Sequence, residues 1–345
     1  MTKYLAPESP YDAETEEDDL WFLPPMPEGV EDELRQNPTM SELRGDWVAA
    51  EHATYPDLLR AAEALSRLRE RLSWMPKEVG ERLAVQSTVA LLRQEGHWIT
   101  ADQLAVYMKL GAAPIDQAQD FARGAWAVRR LLGALTPQQG VHGFLGRQQV
   151  QDDGLSSLQH RPVGAELETL GTQWADTLAS VFDLHRITQS AVAFFEWQRL
   201  GLSDPEDSLE GSVAAMCFAA GDGILFQPIA PDASVMRSGA AAERLARWFR
   251  AVETGCLQAL LELERLNAWR SRAGAATQGM SGRSVGLLIE TLLAVPLVSA
   301  ELLEARTGLS RPSALRNLNA FSDLGLLREV TGQRRYRFWT ARLLS

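Results

Sequence analysis

Near the C-terminus, Ser310, Arg311, Ser313, Arg316 and Asn317 fall within eight consecutive positions. Their types suit hydrogen bonding to double-stranded DNA. A guanidinium bridges O6 and N7 of guanine, and a carboxamide bridges N6 and N7 of adenine. Serine hydroxyls at a helix start, with the N–H groups there, bind backbone phosphate. A second set, Arg328, Gln333, Arg334, Arg335 and Arg337, surrounds Gly332, whose permissive backbone suits a tight turn. Guanidiniums around such a turn suit a minor groove or its flanking phosphates. These ten residues are the candidate DNA contacts. A solvated basic surface, or a module that binds protein, is the competing reading.

No other grouping has the spacing of a reactive site. His52, His97, His142, His160 and His185 are dispersed, without zinc-ligand spacing. Neither a G-x-x-x-x-G-K-[ST] phosphate loop nor a G-x-S-x-G elbow occurs. The turn from Gly221 to Gly223 is too short for a calcium loop or a dinucleotide fingerprint. Glu166 with Glu168, and Glu262 with Glu264, stand two apart; on a helix they face different ways and read as solvated charge. Cys217 and Cys256 sit in apolar helical runs and read as core residues of a reduced, cytoplasmic protein. No enzymatic activity, cofactor or metal is expected.

Three helices and a hairpin must position the polar sets. An apolar-periodic helix is expected from Ser284 to Ala294, ended by Pro296. A second opens at Ser299 and ends at Thr307 and Gly308. A third opens at Ser310, with Pro312 in its first turn, and closes at Gly325; a proline there forfeits no helical hydrogen bond. Along it Ala314, Leu318, Phe321 and Leu324 face the core, leaving the polar set outside. Two strands, Leu326 to Val330 and Arg335 to Trp339, complete a winged helix-turn-helix at 284–345. Alternation in the second strand would bury Tyr336 and Phe338 and expose Arg335 and Arg337.

The rest of the chain reads as a mainly α body with helical-bundle character. Residues 1–50 are acidic and weakly periodic, a largely disordered tail, with Trp21, Phe22 and Leu23 as a docking cluster. Helices follow over 51–272, with a loop or subdivision near 136–162. The pair from Thr100 to Leu132, bearing Arg123, Arg129 and Arg130, is an αα-hairpin or a second DNA-reading unit. Ile224 to Ile229 reads as an extended segment. A long helix from about Ala240 to Ala268 carries a stripe of Leu245, Phe249, Val252, Cys256, Leu260 and Leu263, widened by Trp248 and Leu257. It would serve as a dimer interface, act as a strut holding the C-terminal module, or be buried in the monomer. Residues 273–283, rich in Gly, Ala and Ser, read as a flexible linker.

The net charge of −11 looks unsuited to DNA until it is divided along the chain. Residues 1–60 hold four Lys/Arg against 15 Asp/Glu, whereas 281–345 hold nine Arg against five Asp/Glu. Local charge is what phosphate senses across a Debye length of about 8–10 Å. No apolar run of membrane-spanning length occurs.

The runs LVSAELLEARTGLSRPSALRNL (297–318) and LGLLREVTGQRRYR (324–337) resemble the winged helix at the C-terminus of many Fic-family proteins. Most of the chain after about residue 50 is also similar to a plasmid-borne bacterial family that pairs a helical domain with such a module. The Fic catalytic sequence, His-Pro-Phe-x-x-Gly-Asn-Gly-Arg, is absent. The segment VHGFLGR (141–147) has a His, a Phe and an Arg but no Asn and no anion-binding spacing, so nucleotidyl transfer does not carry over. The combined expectation is a sequence-specific DNA-binding transcriptional regulator acting as a dimer. The alternative is a protein-interaction or toxin–antitoxin-type module of Fic-like ancestry. A small-molecule effector is unspecified by the sequence.

Overall fold

The computed structural model describes residues 40–146, 161–221, 223–230, 235, 238–280, 283–332 and 335–343. Its contacts divide it into two units, Met1–Leu43 and Arg44–Ser345. Of the first, only residues 40–43 are described, as the opening turn of a helix. The helical body and the C-terminal module both belong to Arg44–Ser345. The docking cluster of Trp21, Phe22 and Leu23 lies outside the described residues.

The fold is mainly α, as the periodicity implies. The helices are α1 (Met40–Ala53), α2 (Tyr55–Ser73), α3 (Val79–Gln94), α4 (Ala101–Leu110), α5 (Ala118–Leu132), α6 (Val141–Leu145), α7 (Gly164–Ser180), α8 (Arg186–Arg199) and α9 (Leu209–Phe218). After them come α10 (Ala241–Ala276), α11 (Arg283–Ala294), α12 (Ala300–Thr307) and α13 (Arg311–Asp323). Strands β1 (Leu327–Glu329) and β2 (Trp339–Ala341) pair antiparallel, with Glu329 opposite Trp339.

Helix α1 corrects the expected tail, because residues 40–50 are helical. Trp47 is buried and stacks on Phe195, their ring centroids 6.0 Å apart. A single aromatic anchor with Ala50 and Thr54 behind it leaves little periodicity to read. In the centre of the body Trp126, Phe144, Trp197 and Trp174 meet edge to face in sequence, the arrangement ring quadrupoles favour by about 0.5–1.5 kcal/mol per pair. Cys217 and Cys256 are buried, unpaired thiols, and burial pushes the pKa of each up to about 12.

Helix α10 runs 36 residues, about 54 Å at 1.5 Å per residue. It is longer than its stripe suggested and takes residues 273–276 out of the expected linker. Leu245, Trp248, Phe249, Val252, Cys256 and Leu263 are buried within this unit, chiefly against α2. Leu257 is instead 46% exposed, because it sits on the outward side of the stripe. The stretch from Ile224 to Ile229 forms no strand; it makes one bridge at its start and then a loop. That loop is seated on α10: a Cβ on Gly255 would stand 2.7 Å from the backbone of Ile229, and Ala230 N–H donates to the Ala251 carbonyl at 2.8 Å. Only a residue without a side chain permits that approach.

Glu262 corrects the reading of it as solvated charge. It is 6% exposed, and burial raises its pKa against the opposing pull of Arg82, Gln86 and Arg265. Helix periodicity places it on the boundary of the stripe, and the arrival of α3 decides the matter. Among the described residues no helix is long and apolar enough to cross a membrane.

Candidate nucleic-acid interface

The C-terminal helices form as their terminal residues dictate. Ser299 caps α12, its hydroxyl accepting from Leu302 N–H at 3.1 Å, and Gly308 ends that helix at φ +70°. Extended backbone at Ser310 then starts α13, with Pro312 in the first turn. Gly325, at φ +69°, ends α13 and lets Leu326 N–H return to the Phe321 carbonyl at 2.9 Å. Val298 and Trp339 exchange backbone hydrogen bonds of 2.8 and 2.9 Å, so β2 is tied to the turn between α11 and α12. The result is a helix-turn-helix closed by a short hairpin.

Ala314, Leu318 and Phe321 are buried, as the stripe requires. Leu324 is 46% exposed, because α13 has ended and the chain turns away at Gly325. Arg311 and Arg316 project into solvent, with Ser313 and Asn317 half-buried beside the stripe. Ser310 occupies the cap position, yet its side chain makes no capping bond; its hydroxyl donates instead to Ser313 Oγ at 3.1 Å. Arg316 Nη2 donates to the same oxygen at 3.1 Å. The first turn of α13 therefore presents backbone N–H groups with no side-chain cap over them.

The hairpin departs from expectation. β2 begins at Trp339, so Arg335–Phe338 is irregular and the expected alternation is absent. Tyr336 is 73% exposed and holds φ +56°, a left-handed conformation that disfavours side chains. Arg337 turns inward: its Nε and Nη2 donate to Glu329 Oε2 at 2.8 and 2.6 Å, and its guanidinium lies 4.6 Å from the Trp339 ring centroid. That pair holds the Glu329 carboxyl below its ordinary range. Arg328 is ion-paired with Asp102 at the start of α4. Both arginines thus hold the hairpin in place, and their carboxylates account for it: each arginine lies within reach of an acid that charge counting along the chain cannot see. Arg335 is exposed. Gln333 and Arg334 lie outside the described residues.

Arg311, Leu315, Arg335 and Tyr336 line one depression of about 530 Å³, together with Ser299 and Glu301 from the start of α12. The structure thereby brings the start of α13 and the hairpin turn to one concave surface. Glu301 and Tyr336 were not among the expected contacts: alternation assigned Tyr336 to the buried face, and Glu301 carries no sequence signal.

The other helical pair, α4 and α5, commits Arg123 and Arg130 to contacts within the body, while Arg129 is exposed. Thr100 caps α4 with a reciprocal box to Gln103. Arg123, however, is held by Glu95 at 2.6 Å and Asp207 at 3.0 Å, and Arg130 lies over Trp126 and Phe144. These arginines knit the bundle together, as an αα-hairpin requires.

The module is also fastened to the body. Arg82 of α3, buried, donates to the carbonyls of Leu292 at 3.1 Å and Val295 at 2.9 Å. Trp269 Nε1 of α10 donates to the Leu326 carbonyl at 2.9 Å, and Arg272 Nη2 to the Arg342 carbonyl at 2.6 Å.

Residues 285–341 match a family of helix-turn-helix DNA-binding domains. No curated protein matches the chain.

Proposed function

We propose, from the premise of a DNA-binding helix-turn-helix at residues 285–341, that the chain is a sequence-specific transcriptional regulator. The observation that carries this reading is the exposed N-terminal half of α13, with Arg311 open to solvent in its first turn and Arg316 on the side away from Ala314, Leu318 and Phe321. In a helix-turn-helix complex that half enters the major groove. Arg311, Arg316 and Asn317 read base edges. Ser310, Ser313 and the uncapped N–H groups of the first turn take phosphate. Glu301 accepts from a cytosine amine beside them.

Arg335 and Tyr336 reach the neighbouring backbone or minor groove, joined by Gln333 and Arg334. Arg328 and Arg337 act indirectly, through the position of the hairpin. The reading contains no catalytic step and no cofactor. Two copies are proposed to bind paired half-sites, since one recognition helix supplies limited specificity. The outward face of α10, where Leu257 and Leu261 stand exposed one turn apart, is the proposed contact between them.

The test is a mobility shift of the full chain on genomic fragments at two salt concentrations, followed by footprinting. Protection of discrete paired sites, weakened by salt, is expected. Salt-insensitive or absent duplex binding contradicts the reading.

A further inference from the structure

Helix α3 does two things at once. On one side Val79, Gly80 and Leu83 form the floor of a cavity of about 360 Å³, roofed by Leu225 and Phe226 and closed at one end by Leu72 of α2. On the other, Arg82 grips the Leu292 and Val295 carbonyls, and Glu78, just before the helix, stands 3.8 Å from Arg306 of α12.

The cavity is in the volume range of small-molecule sites. Its described lining is apolar except for Lys77, the one charged residue on it. Lys77 is exposed, and no carboxylate among the described residues pairs with it. The roof segment is firmly held. Gln227 N–H donates to the Met216 carbonyl at 3.0 Å, and the loop then rests on Gly255 of α10. Leu225 alone on the roof is half exposed, at 51%. A wall of leucines with one adjustable side chain and a cation at the mouth suits an amphipathic ligand. The tail leaves water for the cavity while the head stays at the ammonium.

We propose that this cavity binds a medium-chain aliphatic carboxylate, and that occupancy acts through α3 on the seating of the helix-turn-helix. The tail lies along Leu83, Phe226 and Leu225, and the carboxylate meets Lys77. Because Val79, Gly80 and Leu83 share α3 with Arg82, and Glu78 directly precedes them, a ligand that displaces the helix displaces its grip on α11 and α12. The regulatory meaning of that coupling rests on the DNA-binding reading; the site and the coupling do not.

Decanoate is titrated into the full-length protein by calorimetry, with decanol as the uncharged control. Saturable binding of one decanoate per chain is expected. Lys77→Gln should weaken decanoate roughly three- to fivefold, the scale of an exposed ion pair, and leave decanol unchanged. Gly80→Leu fills the floor, since a Cβ there already stands 2.7 Å from Leu225 Cδ1, and should abolish binding of both. A Gly80→Leu protein whose circular dichroism and cooperative melt match the wild type's distinguishes a filled cavity from a misfolded protein, and Leu225→Ala, which opens the roof, retains binding.

Hydrogen exchange of α11 and α12 amides reads the coupling without DNA. A changed protection at saturating decanoate supports it, and unchanged protection overturns it. Absence of decanoate binding, or binding undiminished in Gly80→Leu, overturns the site. A protein that binds decanoate and no duplex would leave the site standing and remove the DNA-binding reading.

Discussion

The guanidinium of Arg82 and the carbonyl of Val295 are joined at 2.9 Å, across 213 residues of chain and one residue past the end of α11. The carbonyls of a helix's last turn and cap have no intrahelical partner, and Arg82 also reaches that of Leu292 at 3.1 Å. A body residue thus completes the first helix of the DNA-binding domain. Burial lowers the Arg82 pKa, with Glu262, Asp102 and Glu81 opposing.

Arg82→Met keeps the volume and removes both bonds. Hydrogen bonds to a charged group contribute about 1.5–3 kcal/mol each, so the variant should lose about 3–6 kcal/mol of stability. Amides of α11 should exchange faster while those of α8 and α9 keep their relative protection. Denaturant unfolding with residue-resolved hydrogen exchange checks both.

Glu262 gives the seam a pH dependence. Its folded pKa is raised above the ordinary value of 4.5 by burial, so the folded state binds this proton more tightly than the unfolded chain. Its contribution to stability is therefore fully present below about 4.5 and lost as pH rises through the folded value. Glu262→Gln should flatten the urea midpoint against pH above 4.5 and be the more stable protein at neutral pH. A variant whose midpoint tracks the wild type across that range contradicts the assignment.

Tyr336 holds a backbone conformation that glycine adopts freely. Tyr336→Gly should leave the melting temperature unchanged or raise it slightly, by relief of strain of the order of 1 kcal/mol. The same change should weaken duplex binding, because an exposed ring at the hairpin turn is lost. Thermal melts and mobility shifts on one preparation separate the two effects. Weaker binding together with a lower melting temperature would mean that the ring supports the hairpin instead.

Arg328→Ala breaks the ion pair to Asp102 and should act on DNA only through the hairpin. The salt slope of binding should stay as in the wild type, since no phosphate contact is lost. A slope reduced by about 1 would place Arg328 on the duplex itself.

The sequence made the helix-turn-helix legible because each boundary carries a local physical signal. Ser299 caps, Pro312 and Ser310 begin a helix, and Gly308 and Gly325 end two. The stripe of Ala314, Leu318 and Phe321 then names the buried side. What the sequence could not show was non-local. Arg328 and Arg337 look like free cations in sequence, because Asp102 lies 226 positions away and Glu329 pairs only after the hairpin forms. Gly and Ala between 273 and 276 suggest a linker, yet α10 continues there because Ala273 and Trp269 are packed into the seam. The cavity over Gly80 had no signature, since its walls come from 68–83 and 223–228.

The central claim is that α13 reads bases and that the hairpin supplies non-specific attraction. It is tested most directly by measuring duplex affinity of the full chain against salt for Arg311→Ala, Asn317→Ala and Arg335→Ala, on the footprinted site and on a scrambled duplex. Arg311→Ala and Asn317→Ala should each weaken the specific site by about 1–3 kcal/mol and narrow the gap to the scrambled duplex. Arg335→Ala should weaken both duplexes alike and lower the salt slope by about 1. Equal losses on both duplexes from all three variants would contradict base reading by α13.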